Sequence, residues 1–331
     1  MHLETFSIRY DGQTVDLIDQ TQLPHSEVWV HCKTPEDMFQ AIQKLQVRGA
    51  PLIGVAAGLS LALYSKSEPS VEKFIDTAKW LRTSRPTAVN LMYVIDKIIK
   101  YVEDSSSIDG VETMAISIFN EDQDLCRKIA TNGATVINDG DQVLTHCNTG
   151  GLATAGVGTA LGVISEAHRQ GKKIHVFVDE TRPLLQGGRL TTWELEKLEI
   201  PYTLICDNMA AALFQSGKID KAIVGADRIA TNGDFANKIG TLNVALLCHH
   251  FKKEFYTAAP YTTIDRDCEN GSLIDIEQRK PEEVQGVNGS FGQCLWAPKT
   301  AKVFNPAFDV TPAEYVTGWI TEEKVFSAPQ F

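Results

Sequence analysis

Between residues 142 and 258 the chain switches repeatedly between short apolar runs and longer amphipathic ones. The runs at 142–147, 173–179, 202–206, 222–227 and 254–258 read as strands. The segments at 152–170, 191–198, 208–217 and 237–250 read as helices. Apolar strands separated by helices pair in parallel and are covered on both faces, because each crossover lays a helix on the sheet. The fold class is therefore α/β. In such a sheet, ligands bind beyond the carboxyl ends of the strands. Those ends are Cys147-Asn148, Asp179-Glu180, Cys206-Asp207-Asn208, Asp227-Arg228 and Ala259-Pro260, so one rim gathers acids, amides and cysteines.

The preceding part follows other rules. Residues 3–32 alternate loosely, with a turn signal at Asp11-Gly12, and read as a small antiparallel sheet extended by Glu27-Val28-Trp29-Val30. Thr34-Pro35-Glu36-Asp37 is a helix start, with Pro at the first position and acids in the first turn. Gly49 lets the backbone turn, and Pro51 opens a helix through Tyr64. Arg48 thus stands beside a helix amino end, where free N–H groups favour an anion; read alone, it is more often a surface arginine at a turn. Helices are expected at 71–82, from Val89 to Val102 behind Arg85-Pro86, and at 112–130. A chain of 331 residues suggests about two domains: a small, mainly helical one with a short antiparallel sheet at 1–125, and the parallel-sheet domain at 126–331.

The net charge of −11, without a basic stripe, argues against nucleic acid and against an anionic membrane surface as partners. It leaves room for a small anionic ligand held by a few local cations. Seven scattered cysteines with no C-x-x-C pair argue against a disulfide framework and a zinc ribbon, and a reducing cytosol is the expected setting. The first residues lack a secretory pattern, and the apolar stretch 49–64 is shorter than a membrane span.

Within the rim, Cys147 ends a strand ahead of Gly150-Gly151 and faces the expected amino end of helix 152–170. A thiol in that place ionises more readily than a free one. His146 is its neighbour along a strand and so points to the other face. Gly156, Gly158 and Gly162 invite a dinucleotide reading, with Asp179 in the place of a ribose-binding acid. They fall inside the expected helix, however, with G-x-G-x-x-x-G spacing, and close helix–sheet packing explains them more simply. Asp227 is delivered to the rim by its strand, and Asn237-Lys238 are expected to open the next helix with donors facing that rim. In the loop 180–190, Gln186 is placed to hydrogen-bond a sugar hydroxyl.

Several long stretches, in this order, resemble the methylthioribose-1-phosphate isomerase family over about 20–315. They are Val47-Arg48-Gly49-Ala50-Pro51, Arg85-Pro86-Thr87-Ala88-Val89-Asn90-Leu91, Thr145-His146-Cys147-Asn148-Thr149-Gly150 and Asp179-Glu180-Thr181-Arg182-Pro183. To these add Asp207-Asn208-Met209-Ala210, Gly225-Ala226-Asp227-Arg228-Ile229-Ala230 and Asn237-Lys238-Ile239-Gly240-Thr241. The resemblance implies a cytoplasmic homodimer with a Rossmann-like carboxyl-terminal domain, no cofactor, no metal, and a sugar-phosphate substrate of methionine salvage. It implies Cys147 and Asp227 as the catalytic pair, and substrate contacts from Arg48, Gly49, Ala50, Arg85, Gln186, Asn237 and Lys238. Departures at Met92-Tyr93-Val94, Leu242, Tyr261-Thr262 and Ile274-Asp275-Ile276 leave the 5-substituent of the sugar open. Close relatives resemble isomerases of 5-deoxyribose 1-phosphate and ribose 1,5-bisphosphate. Non-catalytic regulatory subunits of a translation-initiation exchange factor share the fold, and the presence of both Cys147 and Asp227 argues against that option.

An aldose whose C1 oxygen is esterified to phosphate cannot ring-open as a free sugar does. The ring C–O bond must break first, and hydrogen must then move from C2 to C1, by an enediol or a hydride shift. Asp227 is the expected acid, since a carboxyl in a closed apolar site stays protonated near neutral pH. Cys147 is the expected base or charge stabiliser, and Arg48, Arg85 and Lys238 are the expected phosphate holders.

Overall fold

The computed structural model describes residues 2–85, 88–289 and 292–331. Pro86, in the expected Arg-Pro helix start, and Thr87 lie outside the described residues, as does Ser290. The structure divides into two compact units, residues 1–125 with 151–156, and residues 126–150 with 157–331.

The first unit opens with an antiparallel sheet in the order β1-β2-β3-β4, formed by β1 (Leu3–Glu4), β2 (Ile8–Tyr10), β3 (Val15–Ile18) and β4 (Trp29–Cys32). Helix α1 (Pro35–Gln43) starts with a capping box, in which Thr34 and Asp37 each satisfy the other's backbone donor. Helix α2 (Ala50–Ser65) is buried at every position from Leu52 to Leu63, the state expected of a helix that is apolar all round. Helices α3 (Val71–Arg82) and α4 (Val89–Ser105) follow. The last helix, α5 (Val111–Ala134), contains the boundary between the units. One apolar core joins β2, β3, α1–α4, the first half of α5, and Ala155 from the returning segment.

That segment is tied to α5 by a buried acid. The Ala155 N–H donates to Asp122 Oδ2 at 2.6 Å. Burial pushes the Asp122 carboxyl up to about 6, partly offset by this hydrogen bond. An acid whose folded pKa is raised contributes stability that is present below its unfolded pKa, near 4, and lost as pH rises through about 6. Asp122→Asn keeps the acceptor and removes the titration. It is expected to match the native chain below pH 4 and to be more stable by about 3 kcal/mol above pH 7. A urea-unfolding difference that is flat across this range would refute the assignment.

The second unit carries β5 (Gln142–Thr145), α6 (Ala160–Arg169), β6 (His175–Asp179), a short π-turn at Gly187–Thr191, α7 (Thr192–Lys197), β7 (Tyr202–Ile205), α8 (Ala210–Gln215) and β8 (Lys221–Gly225). Then come β9 (Arg228–Ala230), β10 (Phe235–Lys238), α9 (Thr241–Phe251), β11 (Glu254–Ala258), β12 (Ile264–Asp265), α10 (Glu282–Gln285), β13 (Gly286–Gly289), β14 (Gly292–Leu295), β15 (Phe308–Thr311), β16 (Gly318–Ile320) and β17 (Val325–Phe326). The main sheet runs β17-β16-β11-β8-β5-β6-β7, with β17 antiparallel and the other pairings parallel. Successive strand residues feed opposite cores. Val143, Val176, Val178, Ile223 and Tyr256 pack with α6 and α7. Leu144, Phe177, Ala222, Val224 and Phe255 pack with α8 and α9. This two-sided burial explains the near-continuous apolar strands.

Three expectations are corrected. Helix α6 begins at Ala160, not at 152, because residues 151–156 belong to the first unit. Gly156 and Gly158 therefore precede the helix. Gly158 has φ +93, and a Cβ there would stand 2.4 Å from the Gly150 Cα, so it permits a chain crossing rather than helix–sheet packing. Asn237 and Lys238 do not open a helix; they end β10, and α9 begins only at Thr241. The sheet has seven strands rather than five, since β16 and β17 return from the far end of the chain.

Candidate active site

Strands β5 and β8 are neighbours in the parallel sheet, so the residues following them leave it at the same end. Cys147 follows β5 and Asp227 follows β8. The two strand ends are in close contact: a Cβ on Gly225 would lie 2.5 Å from Thr149 Cγ2, and the Thr145 hydroxyl donates to the Ile223 carbonyl at 2.9 Å.

Cys147 is buried and held in the left-handed region, at φ +66. Such a conformation in a residue other than glycine is strained and is kept only where surroundings enforce it. Here its N–H donates to Thr181 Oγ1 at 2.8 Å, and its carbonyl accepts from Thr191 Oγ1 at 2.6 Å. Thr181 is left-handed too, at φ +64. Its hydroxyl donates to the Asp179 carbonyl at 3.0 Å, while both Asp207 oxygens accept N–H groups from Thr181 and Arg182 at 2.7 Å. Loops after β5, β6 and β7 are thereby stitched together. The helix whose amino end was expected to face Cys147 starts later, at Ala160 rather than at 152. At the start of α6, the Thr159 and Leu161 N–H groups donate to the Thr149 carbonyl and hydroxyl.

Asn148 donates from Nδ2 to Glu194 Oε1 at 2.7 Å. Glu194, which the sequence reading passed over, is only 1% exposed. Gln186 is buried, and its Oε1 has no hydrogen-bond partner among the described residues. A buried acceptor left unpaired costs about 1–3 kcal/mol.

Asp227 is half-buried, and its N–H donates to the Ala236 carbonyl, which extends the β9–β10 hairpin up to it. Asn237 and Lys238 continue the opposite strand. Asn237 Nδ2 donates to Thr241 Oγ1 at 2.9 Å, and the buried Lys238 ammonium donates to the Ala307 carbonyl at 3.0 Å while lying 4.4 Å from the Phe308 ring centre. The amino end of α9 is occupied by Asp309, whose oxygens accept from Gly240 and Leu242. Burial raises the Asp309 carboxyl above its ordinary range.

Among the described residues, one group has a donor set suited to a metal: His146, Asp179 and Asp207, with ligand atoms within 4.8 Å of one another. Both His146 nitrogens and both Asp207 oxygens are already engaged by protein partners, so the group is a hydrogen-bonded network. The His146–Asp179 pair had no local signal beyond Asp179 ending its strand.

Arg48, Gly49, Ala50 and Arg85 lie in the first unit. Arg48 Nε donates to Gln20 Oε1 at 3.1 Å, Gly49 has φ +97, and Ala50 begins α2. Arg85 lies between α3 and α4, and its carbonyl accepts from Ala88.

This is an α/β protein whose candidate small-ligand site stands at the carboxyl edge of a parallel sheet. The chain belongs to the Initiation factor 2 subunit family, whose model matches residues 46–327, and within it to the methylthioribose-1-phosphate isomerase family. It is 49% identical over 330 residues to the methylthioribose-1-phosphate isomerase of Yersinia pestis, covering all of this chain and 95% of that one. The crystal structure of 5-methylthioribose 1-phosphate isomerase from Pyrococcus horikoshii matches with a TM-score of 0.89 and 41% identity, over 98% of this chain and 92% of that one. The translation initiation factor eIF-2B subunit delta from A. fulgidus matches with a TM-score of 0.84 and 41% identity, over 97% and 95%.

Proposed function

We propose that the chain is an aldose–ketose isomerase that converts 5-methylthioribose 1-phosphate to 5-methylthioribulose 1-phosphate in methionine salvage. The observation that carries this reading is that Cys147 and Asp227 leave neighbouring parallel strands at one end of the sheet. Asp227 protonates the ring oxygen as the ring C–O bond breaks. Hydrogen then passes from C2 to C1 with its bonding electron pair, as a hydride, and the C2 hydroxyl gives its proton to Cys147 as the carbonyl forms. Gln186 accepts from a sugar hydroxyl, which supplies the donor its buried oxygen lacks. Asn237 is a further sugar contact, and Lys238 a phosphate contact. Arg48, Gly49, Ala50 and Arg85 are assigned as substrate contacts on the resemblance, with the arginines holding phosphate.

The carboxyl-terminal unit is read as a Rossmann-like catalytic domain, with the domain boundary at 125/126, and the protein as a cytoplasmic homodimer. None of the described helices is long and apolar enough to cross a membrane. Purified protein is expected to isomerise methylthioribose 1-phosphate with a kcat/KM well above that for 5-deoxyribose 1-phosphate, and to run in light scattering at twice the 36.5 kDa chain mass. A preference for the deoxy sugar would transfer the reading to the related isomerase. Binding without turnover of either would favour a sugar-phosphate-sensing subunit, and a single-chain mass would remove the dimer.

A further inference from the structure

His146 directly follows β5, with a ring that is only 1% exposed, and both ring nitrogens are engaged. Nδ1 lies 2.9 Å from Asp179 Oδ2, and Nε2 lies 2.9 Å from the Ile239 carbonyl oxygen. The carbonyl can only accept, so Nε2 carries a proton and donates it. The ring therefore fastens the backbone beside Cys147 to the backbone that directly follows Asn237 and Lys238. Asp179 completes the brace twice over: its carboxylate orients the ring, and its carbonyl accepts from the Thr181 hydroxyl, which itself receives the Cys147 N–H. One side chain thus spans two loops more than ninety positions apart in sequence.

We propose that His146 is a positioning residue of this site, holding the backbone beside Cys147 and the Asn237-Lys238 end of β10 in register for one substrate. The inference rests on the reading that these three residues serve a common sugar phosphate. His146 itself touches no substrate. The charged groups facing it are Asp179 on β6, Asp207 after β7 and Asp309 on β15, all carboxylates. Burial opposes a charge on the ring, but the Asp179 hydrogen bond and the charges of Asp179 and Asp207 outweigh it and raise the imidazole above its ordinary value.

Two near-isosteric variants separate positioning from simple packing. In His146→Gln the side-chain amide nitrogen stands near the Nε2 position and retains a donor for the Ile239 carbonyl. In His146→Asn it stands near Nδ1 and loses that contact. Positioning predicts that folded His146→Asn raises KM for the sugar phosphate at least about tenfold, while His146→Gln recovers most of the loss. Equal KM values for the two folded variants, with only their melting temperatures lowered, would overturn the proposal. The wild-type protein provides a measurement independent of folding in the variants and of turnover. With 15N-labelled histidine, one imidazole is expected to keep a slowly exchanging, hydrogen-bonded Nε2–H from pH 6 to pH 8. A full set of rings that titrate freely and exchange with solvent would overturn it. Wild-type protein without isomerase activity would defeat the functional reading alone, and the labelled ring would then decide this one.

Discussion

Asp227→Asn is expected to lower kcat by at least about 100-fold, the usual scale for removing a general acid and the role proposed for this carboxyl, equivalent to about 3 kcal/mol of barrier. The substitution is nearly isosteric and removes the proton donor without emptying space. The backbone N–H of Asp227, which joins it to Ala236, is untouched, so the melting temperature should stay near that of the native chain. Cys147→Ser keeps the size of the side chain and the backbone bonds to Thr181 and Thr191, and replaces the thiol with a hydroxyl that is far harder to deprotonate. It should lose a similar factor. Near-normal rates in both folded variants would remove the catalytic pair. Arg85→Ala should act differently, raising KM with a smaller effect on kcat; unchanged substrate affinity would end its role as a phosphate holder.

Gly49→Ala is expected to destabilise the protein by about 2–5 kcal/mol, combining a left-handed backbone penalty of about 1–2 kcal/mol with an overpacking cost of about 1–3 kcal/mol. Gly49 has φ +97, and a Cβ there would stand 2.4 Å from the Ala153 Cα and 2.5 Å from the Ala153 carbonyl oxygen. Both are backbone atoms, which cannot swing aside as a side-chain end does. Ala153 is also held in place, since the Leu52 N–H donates to its carbonyl at 3.1 Å. Gln20 binds both the Leu152 carbonyl and Arg48, so a forced shift of the 151–156 segment reaches Arg48 as well. Urea unfolding measures the loss. A change below about 1 kcal/mol would mean that the segment yields easily, contrary to this packing.

Much of the local structure was legible in the sequence because its causes are local. Thr34-Pro35-Glu36-Asp37 caps α1 as expected, and Asp11-Gly12 turns the chain between β2 and β3. The strands at 142, 175, 202, 221 and 254 were visible from apolar runs bounded by turn formers. The errors fall where contacts at long sequence separation override local pattern. Residues 152–156 look helical, yet their carbonyl groups are claimed by Gln20, Ser7 and Leu52, and the Ala155 N–H by Asp122. Asn237 and Lys238 look like a helix start, yet they pair with Asp309 and Phe308 across β10 and β15. Gln186 was placed by the composition of its loop, but its unpaired oxygen emerges only once the loop has closed around it.

By itself the sequence determined which residues end the strands, since apolar periodicity and turn chemistry act over a few neighbours. It thereby named Cys147, Asp179, Asp207 and Asp227 as rim residues before any coordinates. Only the tertiary structure decided which of those ends stand side by side, because strand order is a matter of pairing between segments tens of residues apart. The adjacency of β5 and β8, and the burial of His146 between Asp179 and the Ile239 carbonyl, belong to that second kind. They arise from packing and hydrogen-bond satisfaction that no short window of sequence contains.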